Sequence, residues 1–354
     1  MNRLDRLRSK LAEYKLESIL VSKPENRFYL SGFDGSSGFL FINRGRNILA
    51  TDSRYLEQAK EQAPDYEIYR ITGKINKWLP DLARETGISS LVFEAGGITL
   101  GEYEEIKSVL EDEGLKFIPG NEMVESLRLY KEADEIKNIE EAVKISDAAF
   151  DYIMDRIDVG MTEEDVAWEI EAYMRRHGSQ PLPFYVIVAS GPNSAKAHAR
   201  PTRRRIKAGE PIMIDFGAKI NGYNSDLSRT ICLGNPDDDF IRIYNTVLKA
   251  QREAMENITA GINGGQADAI AREVIVSRGY GDAFAHSLGH GLGLEPHESP
   301  RLGPGSEDKL ENGMVFTIEP GIYITGWGGI RIEDTVIMEY GKIRVLSKAI
   351  KSKY

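Results

Sequence analysis

The first third of the chain alternates between helical and strand-like patterns of apolar residues. Near the start, apolar side chains recur every three or four residues, as on the buried face of an amphipathic helix: Leu4, Leu7, Leu11 and Tyr14. Mostly apolar runs at residues 18–21 and 47–50 predict strands. We expect residues 51–52 to cap a helix across residues 55–62. This alternation predicts an α/β fold for the first part.

A different pattern begins at Lys131, where one long helix is predicted. Its apolar residues recur at spacings of three, four and seven: Ile136, Ile139, Val143, Phe150, Ile153 and Ile157. We expect Gly160 to end this helix. Thr162 and Asp165 have the spacing of a capping box for the next helix, and Gly178 is suited to stop it.

Strands dominate the remainder, interrupted by two helical patterns near residues 239–258 and 266–277. The change of pattern near residues 124–131 indicates a domain boundary. We therefore expect an α/β domain over residues 1–127 and a mixed α+β domain over residues 128–354.

Composition narrows the classes of function. The 354 residues are 41% hydrophobic and 28% charged, which is typical of globular domains, and a net charge of -10 argues against general nucleic-acid binding. The first residues are charged rather than apolar, and no run is long enough to span a membrane, so we expect a cytoplasmic protein without membrane partners. Cys232 is the only cysteine, which excludes an intrachain disulfide and favours a buried thiol.

Residues 200–207 form a local basic segment with four arginines and one lysine. Two interpretations stay open. The segment is either a solvated loop or hairpin edge, or a basic rim that attracts carboxylates or helps a dimer to form.

Candidate chemistry starts with a hairpin around Asn221 and Gly222. If these two residues form the turn, Asp215 lies opposite Ser228 and Asp226 is its diagonal neighbour, on the same face and within roughly 7–8 Å. Two acids on one buried face repel each other unless a cation lies between them. The alternative is a pair of surface acids on an exposed hairpin.

Three further segments favour the metal interpretation. Three of the five histidines lie among glycines within twelve positions: His286, His290 and His297. Glu319 ends an apolar run, and we expect Pro320 and Gly321 to form a turn after it; charges rarely lie in such a place without partners. Strand alternation over residues 329–336 sends one set of polar side chains to a common face: Arg331, Glu333 and Thr335.

The four acids carry four negative charges, which two divalent cations would balance: Asp215, Asp226, Glu319 and Glu333. With His290 as a neutral nitrogen ligand, such a site can be buried, and a water that bridges the cations could ionise near neutral pH. Oxygen-rich ligation with one imidazole suits Mn, Co, Zn or Fe. No zinc helix, phosphate-binding loop or nucleophile elbow accompanies these residues.

The ordered set of these five residues resembles the pita-bread metallopeptidases, in particular Xaa-Pro dipeptidase (prolidase) and aminopeptidase P. The characteristic contexts are Gly-His-Gly around His290, Glu-Pro-Gly from Glu319 and Arg-Ile-Glu-Asp around Glu333. The first domain is similar, more weakly, to the creatinase-like domain of the same enzymes, in the segments at residues 31–36 and 51–55.

The resemblance implies a role for each residue. Asp215 would bind one metal ion, Asp226 and Glu333 would bridge two, and His290 and Glu319 would bind the second. Glu319 would also carry the proton. The other implied catalytic and substrate-binding residues are Phe184, His198, His286, His297, Arg301 and Arg331. The expected cofactors are two divalent ions, most simply Mn²⁺, with Co²⁺ or Zn²⁺ as alternatives.

The implied reaction is hydrolysis of the N-terminal Xaa-Pro bond, with a hydroxide between the two metal ions as nucleophile. Arg301 would pair with the carboxylate of a C-terminal proline, or else it forms a salt bridge with Glu298 or another acid. The resemblance also implies a homodimer in which the regions of Gly35 and Arg54 cover the partner's active site. The rival hypotheses are a non-catalytic peptide-binding or protein-binding module on the same fold and a methionine aminopeptidase-like enzyme.

Overall fold

The apolar runs of the first part of the chain assemble into one six-stranded sheet. The structure, a computed structural model, describes residues 2–351; Met1, the first residue of the charged start, lies outside them. The strand order is β4-β3-β2-β1-β5-β6. The strands are β1 (Ser18–Val21), β2 (Phe39–Asn43), β3 (Asn47–Thr51), β4 (Glu67–Arg70), β5 (Ser90–Glu94) and β6 (Lys116–Gly120).

Parallel and antiparallel pairing are mixed in this sheet. The pairs β1–β5, β3–β4 and β5–β6 are parallel, whereas β1–β2 and β2–β3 are antiparallel. The helices of this unit are α1 (Arg3–Glu13), α2 (Pro24–Ser31), α3 (Leu56–Gln62), α4 (Ile75–Thr86), α5 (Leu100–Asp112) and α6 (Glu125–Arg128). The compact unit formed in this way ends at Arg128, and a second unit begins at Leu129.

Two long helices open the second unit, and two more follow in its centre. They are α7 (Ala133–Met154), α8 (Glu163–Arg176), α9 (Asp238–Asn257) and α10 (Gly264–Ser277). Thr162 and Asp165 form the predicted capping box of α8, and Gly178 follows the helix with φ of 100°. The two later helices begin and end within two residues of their predicted limits.

The strands of the second unit form small sheets. The three-stranded sheet and the hairpin extension beside it contain β7 (Ile187–Ser190), β8 (Pro211–Phe216), β9 (Lys219–Ile220), β10 (Tyr223–Asn224) and β11 (Leu227–Cys232). The five-stranded sheet contains β12 (Gly289–Gly291), β13 (Glu298–Leu302), β14 (Val315–Ile318), β17 (Asp334–Glu339) and β18 (Lys342–Val345). A separate hairpin pairs β15 (Gly321–Ile324) with β16 (Gly328–Arg331).

Two predicted helices differ at their ends. The first long helix stops at Met154 rather than at Gly160, although Ile157 remains buried. Ile157 continues the apolar periodicity because it packs into the core from the segment just beyond the helix, so the pattern outlasts the helical backbone. Tyr14 lies just beyond α1 and is 59% exposed, so it does not belong to the buried stripe.

The expected cap at residues 51–52 is also wrong. Thr51 is the last residue of β3, and its hydroxyl donates to the carbonyl of Ser37 at 2.7 Å. Tyr55 occupies the N-cap position of α3 without a side-chain capping bond. Asp52 instead accepts hydrogen bonds from the backbone and side chain of Arg54.

The segment predicted as one strand over residues 329–336 is two strands in different sheets. It breaks between Arg331, which ends β16, and Asp334, which begins β17. Pro320 and Gly321 likewise do not form a reversing turn, because the chain passes from β14 directly into β15. The predicted common face of Arg331 and Glu333 is nevertheless present, because both side chains are hydrogen bonded to Ser228.

Candidate metal centre

The hairpin of β8 and β11 places two acids as the sequence predicts. Asp215 pairs with Ser228 in the antiparallel register, and Asn221 and Gly222 have the positive φ angles of 49° and 85° that a tight turn requires. Asp226 directly precedes β11 and is 4% exposed. The hairpin is therefore buried at this point, and the surface-acid alternative is wrong.

The four acids and His290 converge on one place. Asp215, Asp226 and Glu333 each offer an oxygen within 4.8 Å of the others. His290, Glu319 and Glu333 form a second such group, and Asp226, His290 and His297 form a third. Glu333 belongs to both acidic groups, while Asp226 links the first acidic group with His290.

The orientation of the His290 imidazole leaves one nitrogen for the acids. Its Nδ1 lies 3.1 Å from the carbonyl of Gly291, which selects Nδ1 as the donor. Nε2 lies 3.2 Å from Oε1 of Glu319 and 3.8 Å from Oδ2 of Asp226. Gly289 and Gly291 permit this approach because a Cβ on either would lie about 2 Å from a backbone oxygen of a neighbouring strand.

Burial and mutual repulsion strongly raise the pKa values of two of the acids. Burial raises the pKa of Asp226 well above its ordinary value, and the charges of Glu333 and Asp215 raise it further. The pKa of Glu333 is raised in the same way, by burial and then by Glu319 and Asp215. These carboxylates face one another in a place where water cannot screen them, so a cation would offset both the cost of burial and the mutual repulsion.

The pKa of Glu319 shifts in the opposite direction, below its ordinary value. Burial raises its pKa, but the hydrogen bond and charge of His290, together with the charges of His286 and Arg331, bring the pKa to about 2. Burial lowers the pKa of His290, and the bond with Glu319 raises it overall. Thr317 donates to Oε1 of Glu319 at 3.1 Å and accepts from the backbone N–H of His290 at 3.1 Å, so it holds both.

Arg331 is buried beside the acids, and its guanidinium donates to four of the described residues. It donates to Asp215, to Ser228 Oγ at 2.8 Å, to the Tyr323 hydroxyl at 2.7 Å and to the carbonyl of Ala197 at 3.1 Å. Tyr323 in turn lies 3.0 Å from Nε2 of His286. Burial raises the pKa of Tyr323 to about 12, so the phenol stays protonated.

The donor set fits divalent cations. Oδ1 of Asp215 is buried and accepts no hydrogen bond from any described residue. The convergent groups are carboxylate oxygens and one imidazole nitrogen, which Mn, Co, Zn and Fe accept as ligands. Within residues 2–351 the four acids face a single guanidinium, that of Arg331, so their ionised forms would carry excess negative charge.

The remaining predicted residues lie at different distances from this cluster. His297 as a whole residue is open to solvent, and its ring centroid lies 4.0 Å from that of His290. Partial burial of the imidazole, together with the charge of His290, lowers the pKa of His297 to about 4. His198 is exposed and follows Ala197; its charge also lowers the pKa of His286 and His297.

Phe184 and Arg301 flank the site rather than touch the acids. A Cβ on Gly217 would lie 3.1 Å from the Phe184 ring. The ring therefore packs against Gly217, which follows Asp215 by two positions in the sequence. Arg301 pairs with His290 in the β12–β13 register, is exposed, and donates to Ser287 Oγ at 3.3 Å. It forms no ion pair with any residue in the described range, and Lys131 binds Glu298 at 2.7 Å.

The basic segment at residues 200–207 has local partners. Arg204 binds Glu210 with two hydrogen bonds of 2.5 and 2.6 Å, and Arg205 donates to the carbonyl of Gly160 at 2.6 Å. The guanidinium of Arg200 lies over the ring of Tyr185 at 3.8 Å. In the described part of the chain, no helix has the length and apolar character needed to span a bilayer.

Sequence reasoning missed the residues that hold the ligands. Ser228, Thr317 and Tyr323 are uncharged and lie in unremarkable apolar strands. The hairpin register indicated that Ser228 faces Asp215, but not that its hydroxyl donates to Glu333 at 2.7 Å. That contact joins positions 105 residues apart, which no local pattern reveals.

The model of metallopeptidase family M24 matches residues 137–339, and the model of the creatinase/prolidase N-terminal domain matches residues 3–130. The chain belongs to metallopeptidase family M24. This M24 metallopeptidase has the predicted two-part fold, a creatinase-like domain followed by a pita-bread domain, and it is a hydrolase. The binding-module hypothesis is thereby set aside.

Relatives of this M24 metallopeptidase match along nearly the whole chain. It is 36% identical to the Xaa-Pro dipeptidase of Pyrococcus furiosus over 347 residues, which cover 98% of this chain and 97% of the relative. The solved Xaa-Pro dipeptidase from Bacillus anthracis superposes with a TM-score of 0.95 at 42% identity, covering 99% and 98% of the two chains. The X-Pro aminopeptidase from Thermotoga maritima superposes with a TM-score of 0.90 at 35% identity, covering 99% of each chain.

Proposed function

We propose that this peptidase cleaves after the first residue of peptides that have proline in the second position, with two divalent metal ions as cofactors. Relatives that align over nearly the full length are Xaa-Pro dipeptidases and an X-Pro aminopeptidase, which supports this substrate class. A methionine aminopeptidase-like activity is disfavoured because the first domain also aligns with these relatives.

The observation that carries the proposal is the overlap of the ligand groups. Glu333 lies in the group with Asp215 and Asp226 and also in the group with His290 and Glu319. Side chains shared in this way suit two adjacent cations, with Glu333 and Asp226 between them. Two bound divalent ions would lower the pKa of a water molecule and polarise the scissile carbonyl.

Glu319 is the proposed proton carrier. The hydrogen bond from Thr317 and the contact with His290 hold its carboxylate in place, and a pKa of about 2 keeps it ionised at neutral pH. An ionised, oriented carboxylate can take a proton from the attacking water and deliver it to the departing proline nitrogen.

The histidines near the mouth of the site are proposed to bind substrate. His297 is neutral at physiological pH because partial burial of its imidazole and the charge of His290 lower its pKa to about 4, so it can donate one hydrogen bond without adding charge. With His198 it would stabilise the negative charge that develops on the carbonyl oxygen. His286, held by Tyr323, would support them.

Phe184 and Arg301 are proposed to recognise the proline end. The Phe184 ring offers an apolar wall for the pyrrolidine ring. Arg301 has no ion-pair partner among the described residues and lies on the strand beside His290, so its guanidinium is available to a substrate carboxylate. Dipeptides present that carboxylate next to the metal ions, and we expect them to be accepted, with longer peptides also possible.

An activity assay tests this proposal. The metal-depleted protein is supplied with Mn²⁺, Co²⁺ or Zn²⁺ and offered Xaa-Pro dipeptides, Xaa-Pro tripeptides and matched Xaa-Ala peptides. We expect metal-dependent cleavage of the proline peptides, most simply with Mn²⁺. Equal cleavage of Xaa-Ala peptides, or activity without metal, would contradict the proposal.

A cytoplasmic location and a homodimer remain predictions of the sequence and the resemblance. The dimer would bring the regions of Gly35 and Arg54 to the partner's active site. A sedimentation mass near the 39.6 kDa of one chain at micromolar concentration would contradict it.

A further inference from the structure

Gln251 is a fully buried polar residue on α9. Its neighbours on the same helical face are fully buried apolar residues: Val247, Ala250 and Ala254. A side-chain amide in such surroundings destabilises the fold unless it is hydrogen bonded, and an apolar residue would fit the core at lower free energy. The hydrogen-bond contacts of the Gln251 amide therefore indicate its role in the structure.

The amide nitrogen of Gln251 faces three oxygens. Nε2 lies 3.3 Å from the carbonyl of Ile318, 3.1 Å from the carbonyl of Ile332 and 3.2 Å from Oδ2 of Asp334. All three are acceptors, so the nitrogen rather than the oxygen of the amide must point at them. The amide oxygen is buried and has no hydrogen-bond partner within residues 2–351.

These oxygens lie where two ligand-bearing segments separate. The β14–β17 ladder ends at the pair Ile318–Asp334. Beyond this pair the chain at Glu319 leads into β15, whereas Glu333 is reached from β16, and these two strands form another sheet. The carbonyls that Gln251 contacts belong to the residues immediately before Glu319 and Glu333. One side chain therefore ties together the backbone of both carboxylates.

Arg229 holds the same segment from another direction. It donates to the carbonyl of Glu333, to that of Ser228 at 2.9 Å and to Oδ1 of Asp334 at 2.7 Å. The N–H of Glu333 donates to the carbonyl of Ser228 at 3.0 Å. Arg229 thus fixes Glu333 to the β8–β11 hairpin. Backbone contacts already join the segment of Glu333 to that of Glu319, namely the ladder pair Ile318–Asp334 and the bond from the N–H of Ile332 to the carbonyl of Pro320 at 3.4 Å. Gln251 is the side chain that bonds to both segments at this point.

We propose that Gln251 is a positioning residue that sets the separation of the Glu319 and Glu333 carboxylates. The affinity for the cation that these two acids and His290 would bind follows from that separation. The inference rests on the proposed two-metal site. Gln251 touches neither carboxylate, since its contacts are the two backbone carbonyls and the side chain of Asp334. Residues that orient metal ligands typically change metal affinity by about 10–100-fold.

The test is Mn²⁺ binding to the metal-depleted full-length protein, measured by isothermal titration calorimetry. Gln251→Met keeps the length of the side chain and removes both donor hydrogens. We expect one of the two binding steps to weaken by about tenfold or more and the other to change less. Visible absorption of the Co²⁺-loaded protein, which reports ligand geometry, is expected to change with it.

Thr246→Val is the matched control. Thr246 also lies buried on α9, but its hydroxyl donates to the carbonyl of Arg242 at 2.8 Å within the helix. This change removes a partly buried hydrogen bond from the same helix without touching the ligand segments. We expect lower thermal stability of the metal-free protein and unchanged Mn²⁺ affinities.

Wild-type affinities at both steps in Gln251→Met would overturn the inference, as would an equal loss in Thr246→Val. Gln251→Leu removes the same donors with a different shape, and the test uses whichever variant folds; failure of both to fold would show a role in the fold as a whole and overturn the inference. A wild-type protein that binds no Mn²⁺ would instead overturn the proposed function, and this inference with it.

Discussion

Each unit of the chain buries carboxylates, but the two units treat them differently. In the first unit, Glu94 ends β5 and is 4% exposed. It accepts hydrogen bonds from the backbone N–H groups of Ser22 and Lys23 at 2.6 and 2.7 Å and from the amide of Asn26 at 2.5 Å. These donors lie at the start of α2, where a negative charge is favourable.

In the second unit, Asp226 faces other acids. The charges of Glu333, Asp215 and Glu319 all raise its pKa, and His290 lies 3.8 Å away. A single buried carboxylate can thus be surrounded by ordinary hydrogen-bond donors at a helix start. Several buried carboxylates that face each other have too few donors, and this difference marks a cation site.

Among the substitutions that separate the two kinds of buried carboxylate, Glu319→Gln should have the largest effect. The amide cannot carry the proton and is a weaker ligand, so we expect kcat to fall by about 10²–10⁴-fold with the fold retained. Steady-state kinetics of the Mn²⁺-loaded variant measures this, with Glu94→Gln as the matched control, whose kcat should stay within a few-fold of wild type. A Glu319→Gln enzyme that retains a similar kcat would exclude the proposed role.

Asp226→Asn tests whether repulsion among the buried carboxylates destabilises the metal-free protein. The metal-free variant should have a higher melting temperature than the metal-free wild type, because one of the buried like charges is removed. Its Mn²⁺ affinity should fall by about 100-fold or more, beyond the range expected of residues that only support ligands. Calorimetric melting after chelation, followed by Mn²⁺ titration, measures both. A lower melting temperature of the metal-free variant would show that the acids are satisfied without a cation, as Glu94 is.

Arg301→Ala extends the comparison to the carboxylate of the substrate. If the guanidinium binds the C-terminal carboxylate of a dipeptide, KM for Xaa-Pro dipeptides should rise by about tenfold or more, in line with ~1.5–3 kcal/mol for a charged hydrogen bond, and tripeptides should barely be affected. Arg203→Ala, which alters an exposed arginine, is the control. Equal losses on both substrates would reject carboxylate recognition.

Glu94→Gln should have the smallest effect, a loss of about 1 kcal/mol of stability, because its new N–H₂ group must face a donor. The effect should depend on pH. Burial raises the pKa of Glu94 above its unfolded value, so its contribution to stability is fully present below that value and is lost as pH rises through the folded pKa. The difference between wild type and variant, measured by melting from pH 4 to 8, should therefore shrink with rising pH. A difference that grows over this range would mean that the donors of α2 outweigh burial.

Local patterns predicted much of the fold. The capping box at Thr162 and the strands at residues 18–21 and 47–50 follow from side-chain chemistry within a few residues, and the structure contains them. The end of α7 could not be predicted in this way, since Ile157 is buried by tertiary packing after the helix has ended. The break between Arg331 and Asp334 was missed for the same reason, because alternation describes side-chain direction and not sheet membership.

By itself the sequence determined which residues offer metal-binding chemistry and the hairpin register that puts Asp215 opposite Ser228, because a two-residue turn fixes pairing locally. Only the tertiary structure decided that Glu333 belongs to both ligand groups and that Gln251 joins the segments before Glu319 and Glu333. The physical reason is distance along the chain: Gln251 and Asp334 are 83 residues apart, and such a contact depends on how the sheets and α9 pack rather than on any local periodicity.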